Sequence, residues 1–384
     1  MHTTSKPRVI VYRDHLLPSS ETFIRAQGEG LRQFEPYYVG MRAVNGLQLP
    51  EDRTYVLNGG GAWGYFREYS LKLGSVPPAL GRAVHTISPS LIHAHFGRDA
   101  AHILPLARRA EIPLMVTFHG WDATANLETL SESHSGRRYL RRRHELAGTA
   151  IRIIAVSRYL AGCLAESGFP KDKIVVHYIG VNTAEFAPNP AIARENVALF
   201  VGRLVEKKGC EYVIRAMEEV QSAIPDIKLV VIGDGPLRNE LQTLAAEKLS
   251  NFSFLGTQDS ATVRSWMQRA KLLCVPSIVA RSGDAEGFGI VFIEAQAMGT
   301  PVVSFATGGV PEAVEHGNTG FLAKERDWRQ LAVHIVDLCK NNSLWCEMSR
   351  AGIERVRRSF SLDRQCALLE NLYFTSIGMS RNSN

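Results

Sequence analysis

Two successive series of alternating strands and helices constrain the fold more than any other feature of the 384-residue sequence. Short apolar, β-branched runs alternate with amphipathic helical stretches along both series. The first series of predicted strands covers residues 8–12, 91–95, 114–118, 152–156 and 175–179, and the second covers 198–202, 228–232, 271–275 and 301–304. Several runs are apolar on both faces, as buried parallel strands are. The alternation therefore predicts right-handed βαβ units and two doubly wound α/β sheets.

A linker separates the two series at residues 180–190, which read GVNTAEFAPNP. Glycine, asparagine and two prolines within so short a stretch mark a loop, and a chain of this length is expected to form two domains. We therefore predict domains at residues 1–182 and 183–360, followed by a C-terminal helix and polar tail at 361–384. The helices predicted after the linker cover residues 208–221, 236–248, 261–270, 331–340, 344–357 and 362–375. The tail from Gly378 to Asn384 is polar and is expected to fray.

Composition argues against several classes of protein. None of the six cysteines forms a CxxC pair, so neither a zinc site nor a disulfide framework is predicted. No apolar stretch approaches the roughly 20 residues of a membrane-spanning helix. The start of the chain lacks the pattern of a signal peptide. These features predict a cytoplasmic protein.

Positive charge is concentrated in the first half of the chain. Residues 1–182 contain 22 Lys and Arg against 15 Asp and Glu, and part of the excess is the run Arg137, Arg138, Arg141, Arg142 and Arg143. Such a surface could contact an anionic membrane or a phosphorylated lipid; alternatively, the run is an ordinary solvated helix face. Binding to nucleic acid is not predicted, because no aromatic residues interleave with the arginines and no recognition motif accompanies them.

The most informative motif is EGFGIVFIE at residues 286–294. Gly287 and Gly289 allow the backbone to approach a ligand closely. The apolar run after Gly289 indicates a helix start, whose free amides and positive dipole suit a diphosphate without a metal. Glu286 in the loop and Glu294 on the helix could accept hydrogen bonds from sugar hydroxyls. The alternative interpretation is a pair of solvated glutamates that flank a buried helix.

Two further motifs follow predicted strands of the second domain. In VGRLVEKKG, residues 201–209, Arg203 lies at the strand end and Lys208 at a helix start. Two cations at the carboxyl end of a parallel sheet suit a diphosphate, although ordinary surface cations would give the same pattern. Residues 232–236, IGDGP, place Gly235 in a nucleotide-binding turn or in a plain βα turn. No complete GxGxxG follows Val9, so a dinucleotide cofactor is not expected.

Taken together, the motifs resemble glycosyltransferase family four of the GT-B superfamily. The resemblance is carried by the segments TFHGWD (117–122), AVSRYL (155–160), IGVNTAEF (179–186), VGRLVEKKG, IGDGPLR (232–238), FLG (254–256), EGFGIVFIEAQAMGTPVV (286–303), GGVPEAV (308–314) and GNTGFL (317–322). It is nearly continuous in the second half of the chain and patchy in the first. The opening HLLPSSETFI and IHAHFG resemble the bacterial exopolysaccharide branch, with its colanic-acid-type transferases and, more loosely, cyanobacterial heterocyst-envelope polysaccharide transferases.

The resemblance implies a role for each matching residue. Arg203 and Lys208 would stabilise the donor diphosphate, and Glu286 would lie near the donor sugar ring. Glu294 would accept hydrogen bonds from the ribose. The remaining implied positions are His119 beside the anomeric centre, the phosphate-binding backbone of Gly287, Phe288, Gly289 and Ile290, the base-bordering Gly235, Phe254, Leu255 and Gly256, and Ser157 and Arg158 at the cleft hinge.

The resemblance also implies the architecture and the reaction. It predicts two Rossmann-like domains that face a cleft, with the acceptor on the first, the donor on the second and the last helix crossing back to the first. The implied reaction is retaining hexosyl transfer, without a metal or cofactor. A nucleotide sugar, by analogy UDP-glucose, is the donor, and a saccharide or lipid-linked saccharide of extracellular polysaccharide synthesis is the acceptor. Two alternatives stay open: a nucleotide-sugar epimerase or hydrolase on the same fold, and a noncatalytic nucleotide-sugar-binding scaffold.

The first domain departs from the family pattern after its first strand. Many relatives have a glycine-rich turn there, whereas this sequence has HLLPSSETF, in which Ser20, Glu21 and Thr22 are predicted to cap the next helix. Residues 59–61, Gly-Gly-Gly, are predicted to form a flexible loop. His93 and His95 are spaced as a metal pair would be, but without an evident third ligand a structural or acceptor-side role is preferred.

Overall fold

The computed structural model describes residues 6–378, so the predicted frayed tail lies outside the described residues from position 379 onward. The chain divides into two compact units, Met1–Gly180 together with Leu362–Asn384, and Val181–Ser361. Each unit is a parallel sheet flanked by helices, as the alternation of strands and helices predicts. The assignment of the first unit to the acceptor and of the second to the donor stays a prediction.

The first unit contains a seven-stranded sheet in the order β3-β2-β1-β4-β5-β6-β7, and its neighbouring strands pair in parallel. Its strands are β1 Arg8–Leu16, β2 Glu35–Ala43, β3 Thr54–Asn58, β4 Leu91–His95, β5 Leu114–Phe118, β6 Arg152–Ala155 and β7 Ile174–Val176. Strands β4 and β5 are buried along their whole length, as central parallel strands are. The sequence predicted five of these strands and missed β2 and β3.

Between residue 6, where the described part of the chain begins, and the linker, the first unit contains eight α-helices. They are α1 Thr22–Glu29, α2 Gly61–Leu73, α3 Pro78–Ile87, α4 Gly97–Arg109, α5 Trp121–Thr124, α6 Leu127–Glu132, α7 His134–Thr149 and α8 Arg158–Glu166. Two predictions here are wrong, the second only in part. Glu21 occupies the N-cap of α1 without any side-chain capping bond, because its carboxylate pairs with Arg13 instead. Of the predicted loop at residues 59–61, only Gly59 and Gly60 lie outside a helix or strand, and Gly61 begins α2.

The second unit contains a six-stranded sheet in the order β10-β9-β8-β11-β12-β13, again paired in parallel. Its strands are β8 Glu195–Val201, β9 Lys228–Ile232, β10 Phe252–Gly256, β11 Ala270–Cys274, β12 Val302–Phe305 and β13 Gly320–Ala323. Its helices are α9 Cys210–Ala223, α10 Arg238–Lys248, α11 Ser260–Arg269, α12 Ile290–Ala297, α13 Val310–Ala313, α14 Trp328–Lys340 and α15 Asn342–Arg355. The edge strands β10 and β13 are the two that the sequence missed.

The strand order of the second unit reverses between β8 and β11. From β8 the chain runs outward to β9 and β10, and it then returns to β11 on the other side of β8. At such a switch point the loops that follow the two central strands diverge and leave a crevice at their carboxyl ends, where open α/β sheets bind ligands. The loops after β8 and β11 contain VGRLVEKKG and EGFG, so the topology brings these two motifs to one edge of the sheet.

The last helix, α16 Leu362–Ile377, belongs to the first unit. Its Leu369 and Tyr373 are buried in a cluster with Val9 of β1 and Phe34, which confirms the predicted return of this helix. The Nε2 atom of His177 lies 2.9 Å from the carbonyl oxygen of Gln365 and fixes the start of the helix. No helix within residues 6–378 combines the length and the apolar character needed to cross a membrane.

Candidate functional site

Lys208 and Glu286 meet across the switch point of the second unit. Lys208 closes a 3-10 turn, Glu206–Lys208, after β8, two residues before the helix that the sequence predicted it would begin. Its Nζ forms a salt bridge with the carboxylate of Glu286 from the loop after β11. Ser277 Oγ lies 3.4 Å from the same carboxylate. The pair joins two motifs that are 78 residues apart in the chain.

The charge of Glu286 is stabilised although the residue as a whole is buried, with 8% of its surface exposed. Burial raises the pKa of its carboxyl, but the positive charges of Lys208 and Lys207 outweigh that effect and the net pKa is lowered. Glu286 is therefore ionised at neutral pH. A buried anion held by a cation remains able to accept hydrogen bonds from ligand hydroxyl groups through its second oxygen.

A second ion pair lies beside the first and is not predicted from the sequence. Lys207 Nζ lies 3.0 Å from Asp284 Oδ1. Burial raises the pKa of Asp284, against the lowering effect of Lys207. The sequence contains two adjacent lysines in EKKG and an aspartate in DAEG, which could form such a pair. Only the order of the strands shows that the two segments meet.

Helix α12 begins at the edge of this ion-pair cluster. Gly289, the N-cap residue, has a φ of +84°, which an L side chain rarely adopts. The first amides of a helix have no intrahelical partner, so the start of α12 offers donors and a positive dipole end to an anion. The same turn places Ile290 first in the helix and Glu294 one turn further on. Phe288 instead points into the core, where its ring lies 5.3 Å from that of Phe360.

Burial raises the pKa of Glu294 to about 7, and the nearby negative charge of Glu185 adds to the effect while Arg264 opposes it. Glu294 is thus partly protonated at neutral pH in the structure. Hydrogen-bond donors of a ligand would replace the missing solvation of its carboxylate, so this group is an acceptor that would benefit from a polar ligand.

The loops on the other side of β8 form the second wall of the crevice. The Leu204 amide donates to the carbonyl of Asp234 over 2.9 Å, and the Gly233 amide donates to the carbonyl of Gly256 over 2.9 Å. A Cβ atom on Gly235 would lie 2.4 Å from the carbonyl oxygen of Leu204. The turn around Gly235 and the end of β10, with the partly buried Phe254 and Leu255, are therefore held directly beside the loop that contains Arg203.

Arg203 differs from Lys208 in being exposed. Within residues 6–378, its guanidinium forms no hydrogen bond or ion pair with another residue. A planar guanidinium that is free to move can form bidentate bonds with a phosphate group.

In the first unit His119 lies in the loop after β5, which Asp122 anchors. The Asp122 carboxylate accepts from the amides of Gly97 at 2.7 Å and Gly120 at 3.2 Å, so it ties the loops after β4 and β5 together. Burial raises the pKa of Asp122, and these amide bonds oppose the rise. Asp122 belongs to the segment TFHGWD, but its anchoring role is not predicted from the sequence.

Three histidine rings stack at this edge of the first sheet. His119 Nε2 lies 3.0 Å from His95 Nδ1, and the rings of His93 and His95 are 4.5 Å apart. The two nitrogens of His93 are occupied by the hydroxyl groups of Tyr373 and Thr117, at 2.5 and 2.6 Å. Burial lowers the pKa of His93 and of His119 to about 3, so both rings are neutral at physiological pH.

The Nδ1 atom of His119 has no hydrogen-bonding partner among the described residues. The ring is enclosed on two sides by Phe23 and Phe96, at centroid distances of 5.1 and 4.7 Å. A neutral histidine with one nitrogen fixed and the other unpaired can offer that nitrogen to a ligand as either a donor or an acceptor, depending on the tautomer.

The predicted hinge residues adopt a local structural role. Ser157 is the N-cap of α8, and its Oγ accepts from the amide of Leu160 at 3.1 Å, as is favourable at this position. Arg158 is the first residue of the helix and is exposed.

In place of the glycine-rich turn after β1, the first unit has a buried ionic cluster. Arg13 pairs with both Glu21 and Asp99, and Asp14 pairs with His102. Burial raises the pKa of Asp99 to about 7, with a contribution from Asp14 and against the effect of Arg13. Within residues 6–378, no group of three or more His, Cys, Asp or Glu is arranged to hold a metal ion.

Comparison with known proteins identifies the family. Residues 181–357 match the family described as "Glycosyl transferases group 1", and residues 21–185 match "Glycosyltransferase Family 4". A putative colanic acid biosynthesis glycosyltransferase of Salmonella typhimurium is 30% identical over 289 residues, which cover 72% of this chain and 69% of that protein. The chain belongs to glycosyltransferase family four and is a glycosyltransferase.

Two other similarities are informative. A GDP-mannose-dependent phosphatidylinositol monomannoside mannosyltransferase of Mycolicibacterium smegmatis is 30% identical over 65% of this chain and 66% of that protein, so the chain spans about two thirds of the length of these relatives. The crystal structure of Anabaena HepE with UDP and glucose superposes with a TM-score of 0.77 at 20% identity, covering 96% of this chain and 100% of that one. At that identity the superposition establishes the GT-B fold alone.

Proposed function

We propose that the chain is a retaining, metal-independent hexosyltransferase of extracellular polysaccharide synthesis, which uses a nucleotide sugar as donor and a saccharide or lipid-linked saccharide as acceptor. The observation that carries the proposal is the Lys208–Glu286 ion pair at the switch point of the second sheet, beside the N-terminus of α12. This arrangement combines cations, helix amides and an ionised carboxylate, which are the groups that a sugar diphosphate requires.

The donor diphosphate is proposed to lie between the loop after β8 and the start of α12. Lys208 and the exposed Arg203 would neutralise the charge that develops on the leaving nucleoside diphosphate. The amides at Gly289 and Ile290 would bind the phosphate oxygens. These groups supply the positive charge that a divalent cation provides in other transferases, which supports a reaction that does not need a metal.

The sugar and ribose are proposed to lie against the two glutamates. Glu286, which is ionised, would accept hydrogen bonds from the hydroxyl groups of the sugar ring. Glu294 would accept from the ribose, and the gain of these bonds would favour its ionised form. His119 would contact the donor sugar through its unpaired Nδ1 atom.

The transfer step is proposed to occur on one face of the sugar. The bond between the anomeric carbon and the diphosphate oxygen breaks, and a bond from the same face to the acceptor oxygen forms. The acceptor proton passes to the leaving phosphate oxygen, so no further base is needed. Stabilisation of that leaving group by Lys208 and Arg203 would lower the barrier to the departure of the nucleotide.

The similar proteins suggest two different nucleotide sugars as the donor. UDP-glucose is our first candidate, because the structural neighbour HepE was crystallised with UDP and glucose. A relative of higher sequence identity is named as GDP-mannose-dependent. The colanic acid relative supports a role in polysaccharide synthesis.

The experiment is a nucleoside-diphosphate release assay with a panel of UDP- and GDP-sugars in the presence of EDTA. Wild type and Glu286→Gln are compared, with Glu247→Gln as a control, because Glu247 is exposed near the end of α10. We expect slow release from one donor that persists in EDTA, is lost in Glu286→Gln and survives in Glu247→Gln. The configuration of the product, read by NMR of the anomeric proton, tests retention.

The two alternatives predict other results. Conversion of the donor to its epimer, or release that no saccharide acceptor accelerates, would favour an epimerase or hydrolase. Donor binding without turnover, and unaffected by loss of His119, would favour a noncatalytic scaffold. A requirement for added Mn²⁺ or Mg²⁺ would overturn the metal-independent mechanism.

A further inference from the structure

Helix α2 presents its large apolar side chains to solvent. Trp63, Phe66 and Tyr69 are 75%, 61% and 60% exposed, and Tyr65 and Leu73 are also exposed. Because Phe66, Tyr69 and Leu73 follow each other at spacings of three and four residues, they lie in one stripe along the helix. The rings of Trp63 and Phe66 are 5.9 Å apart and are arranged edge to face. A contiguous exposed group of aromatic side chains of this kind marks an interaction surface.

The opposite face of α2 explains why these side chains do not serve the core. The buried positions of the helix are Gly64, Glu68 and Leu71. Glu68 forms salt bridges with Arg42 and Lys72. The inward face therefore combines one apolar side chain, Leu71, with the ion pairs of Glu68. The larger apolar side chains lie on the outer face, against the usual amphipathic arrangement. Aromatic residues on the outer face contribute little to folding, so another role has to account for them.

A basic cluster continues from the end of α2 onto α7. Arg142 donates to the carbonyl oxygen of Leu73 over 3.3 Å and to that of Ala101 over 2.9 Å, which fixes the two helices side by side. Arg141 is exposed and Arg138 partly so. Burial and the neighbouring charge of Arg142 lower the pKa of Arg138, while Tyr69 opposes this effect, which places Tyr69 close to the arginines.

We propose that α2 and the adjacent part of α7 dock the protein on a lipid bilayer with anionic headgroups. The aromatic–basic surface comprises Trp63, Phe66, Tyr69, Leu73, Arg138 and Arg141. Aromatic side chains that are apolar in body and polar at one end are favoured at the boundary between headgroups and acyl chains. A helix with one apolar face and basic flanks lies in the plane of that boundary.

The charge of the surface selects the partner. Arginines near a membrane contribute attraction to anionic lipids of about 1 kcal/mol each. A single stripe of aromatics with arginines along one flank matches a continuous anionic plane. Only the biological reason for docking depends on the proposed function, because docking would bring the first unit to a lipid-linked acceptor. Donor turnover and docking are measured separately.

The test is cosedimentation of the full chain with vesicles of phosphatidylcholine alone or with about 30% phosphatidylglycerol added. We expect binding to the anionic vesicles that weakens with salt, because exposed charges are screened over roughly 10 Å at 0.1 M. Removal of Phe66 as Phe66→Ser should weaken binding by roughly tenfold or more, from the lost apolar burial. Arg141→Gln should weaken it about fivefold.

Matched variants separate this surface from general effects. Leu127→Ser removes another exposed leucine of the first unit, and Arg329→Gln removes an exposed arginine of the second. Both should bind like the wild type. All four variants should release nucleoside diphosphate from the donor in lipid-free buffer at the wild-type rate, so loss of docking is distinguishable from loss of the proposed donor chemistry.

Three results would overturn the proposal. The first is wild-type protein that does not sediment with anionic vesicles. The second is equal loss of binding in Phe66→Ser and Leu127→Ser. The third is concentration-dependent self-association that Phe66→Ser abolishes while vesicle binding is unchanged, because the surface would then be a protein interface.

Discussion

The salt bridge from Lys208 Nζ to the Glu286 carboxylate connects the loops that follow β8 and β11 in the second unit. Both side chains are largely buried, with 16% and 11% of their surfaces exposed. Loss of one partner in such a pair leaves an uncompensated charge, whereas loss of both does not.

Lys208→Met is therefore expected to destabilise the second unit by about 3 kcal/mol. Adding Glu286→Gln to it should recover most of that loss, because the stranded carboxylate is removed. Urea unfolding followed by tryptophan fluorescence gives the coupling energy from the double-mutant cycle. Additive losses in the double variant would mean that the two groups do not interact.

The same pair should make the free energy of unfolding depend on pH in the acidic range. The pKa of Glu286 is lowered in the folded state below its ordinary value of 4.5. Its contribution is thus present above about pH 4.5 and is lost as the pH falls through the folded pKa. The coupling between Lys208 and Glu286 should accordingly disappear at strongly acidic pH and persist unchanged from pH 6 to 8.

The sequence predicted both residues but not their contact. Each motif reads as a loop after a strand, and the resemblance to the family assigned Lys208 to the diphosphate and Glu286 to the sugar. Their direct salt bridge depends on β11 lying next to β8, which is a property of strand order. Local sequence does not encode strand order. The neighbouring Lys207–Asp284 pair escaped prediction for the same reason.

The missed strands have their own physical reasons. Strands β10 and β13 lie at the edges of their sheet, and their mixed exposure removes the continuous apolar run that identifies a buried strand. Strand β2 begins Glu-Pro and ends Arg-Ala around a Tyr-Tyr-Val run. That aromatic and β-branched run is a recognisable strand signal, but the polar ends conceal it.

Glu294→Gln is expected to stabilise the empty protein while it weakens donor use. Because the folded pKa of Glu294 is about 7 against an ordinary 4.5, the unfolded chain releases its proton first as the pH rises. The free energy of unfolding of the wild type therefore falls below that of Glu294→Gln as the pH rises from about 4.5 to 7. It stays lower above that range. At pH 8 the difference in unfolding free energy between the two proteins should be about 1–2 kcal/mol, after allowance for the partial exposure of Glu294.

Thermal unfolding of wild type and Glu294→Gln at pH 5 and pH 8 measures that difference. In the release assay, the variant should raise the donor KM, because an amide is a poorer acceptor for two ribose hydroxyls than a carboxylate. A stability gap that is the same at both pH values would show that Glu294 titrates normally.

His95 is expected to position His119 without contacting substrate. The contact between His95 Nδ1 and His119 Nε2 fixes the ring orientation and the tautomer of His119. His95→Phe should lower kcat by about tenfold, the equivalent of one lost hydrogen bond. The affinity for the nucleoside diphosphate should not change. His95→Asn, whose amide can replace Nδ1, should retain most of the activity.

A pH profile separates this positioning role from a proton-transfer role. Since burial lowers the pKa of His119 to about 3, the ring stays neutral from pH 5 to 8, and kcat should show no inflection near 6.5 that belongs to this residue. An inflection there that vanishes in His119→Asn would contradict a neutral His119.

Glu370 is expected to hold the C-terminal helix on the first unit. Its carboxylate accepts from three consecutive backbone amides, those of Arg32 at 2.7 Å, Gln33 at 2.5 Å and Phe34 at 3.3 Å. The side chain is buried, and hydrogen bonds to a charged group are stronger than those between neutral groups. Glu370→Ala should therefore cost about 2–3 kcal/mol of unfolding free energy and increase proteolytic release of α16.

Asp363→Asn is the matched control, because Asp363 lies on the same helix and pairs with Arg32 at the surface, where both side chains are more than three quarters exposed. Exposed pairs contribute little to stability, so this variant should unfold like the wild type. Glu370→Gln keeps one acceptor oxygen, so its unfolding free energy should lie between those of Glu370→Ala and Asp363→Asn. Equal stability of Glu370→Ala and Asp363→Asn in urea would show that apolar packing alone, through residues such as Leu369 and Tyr373, attaches the helix.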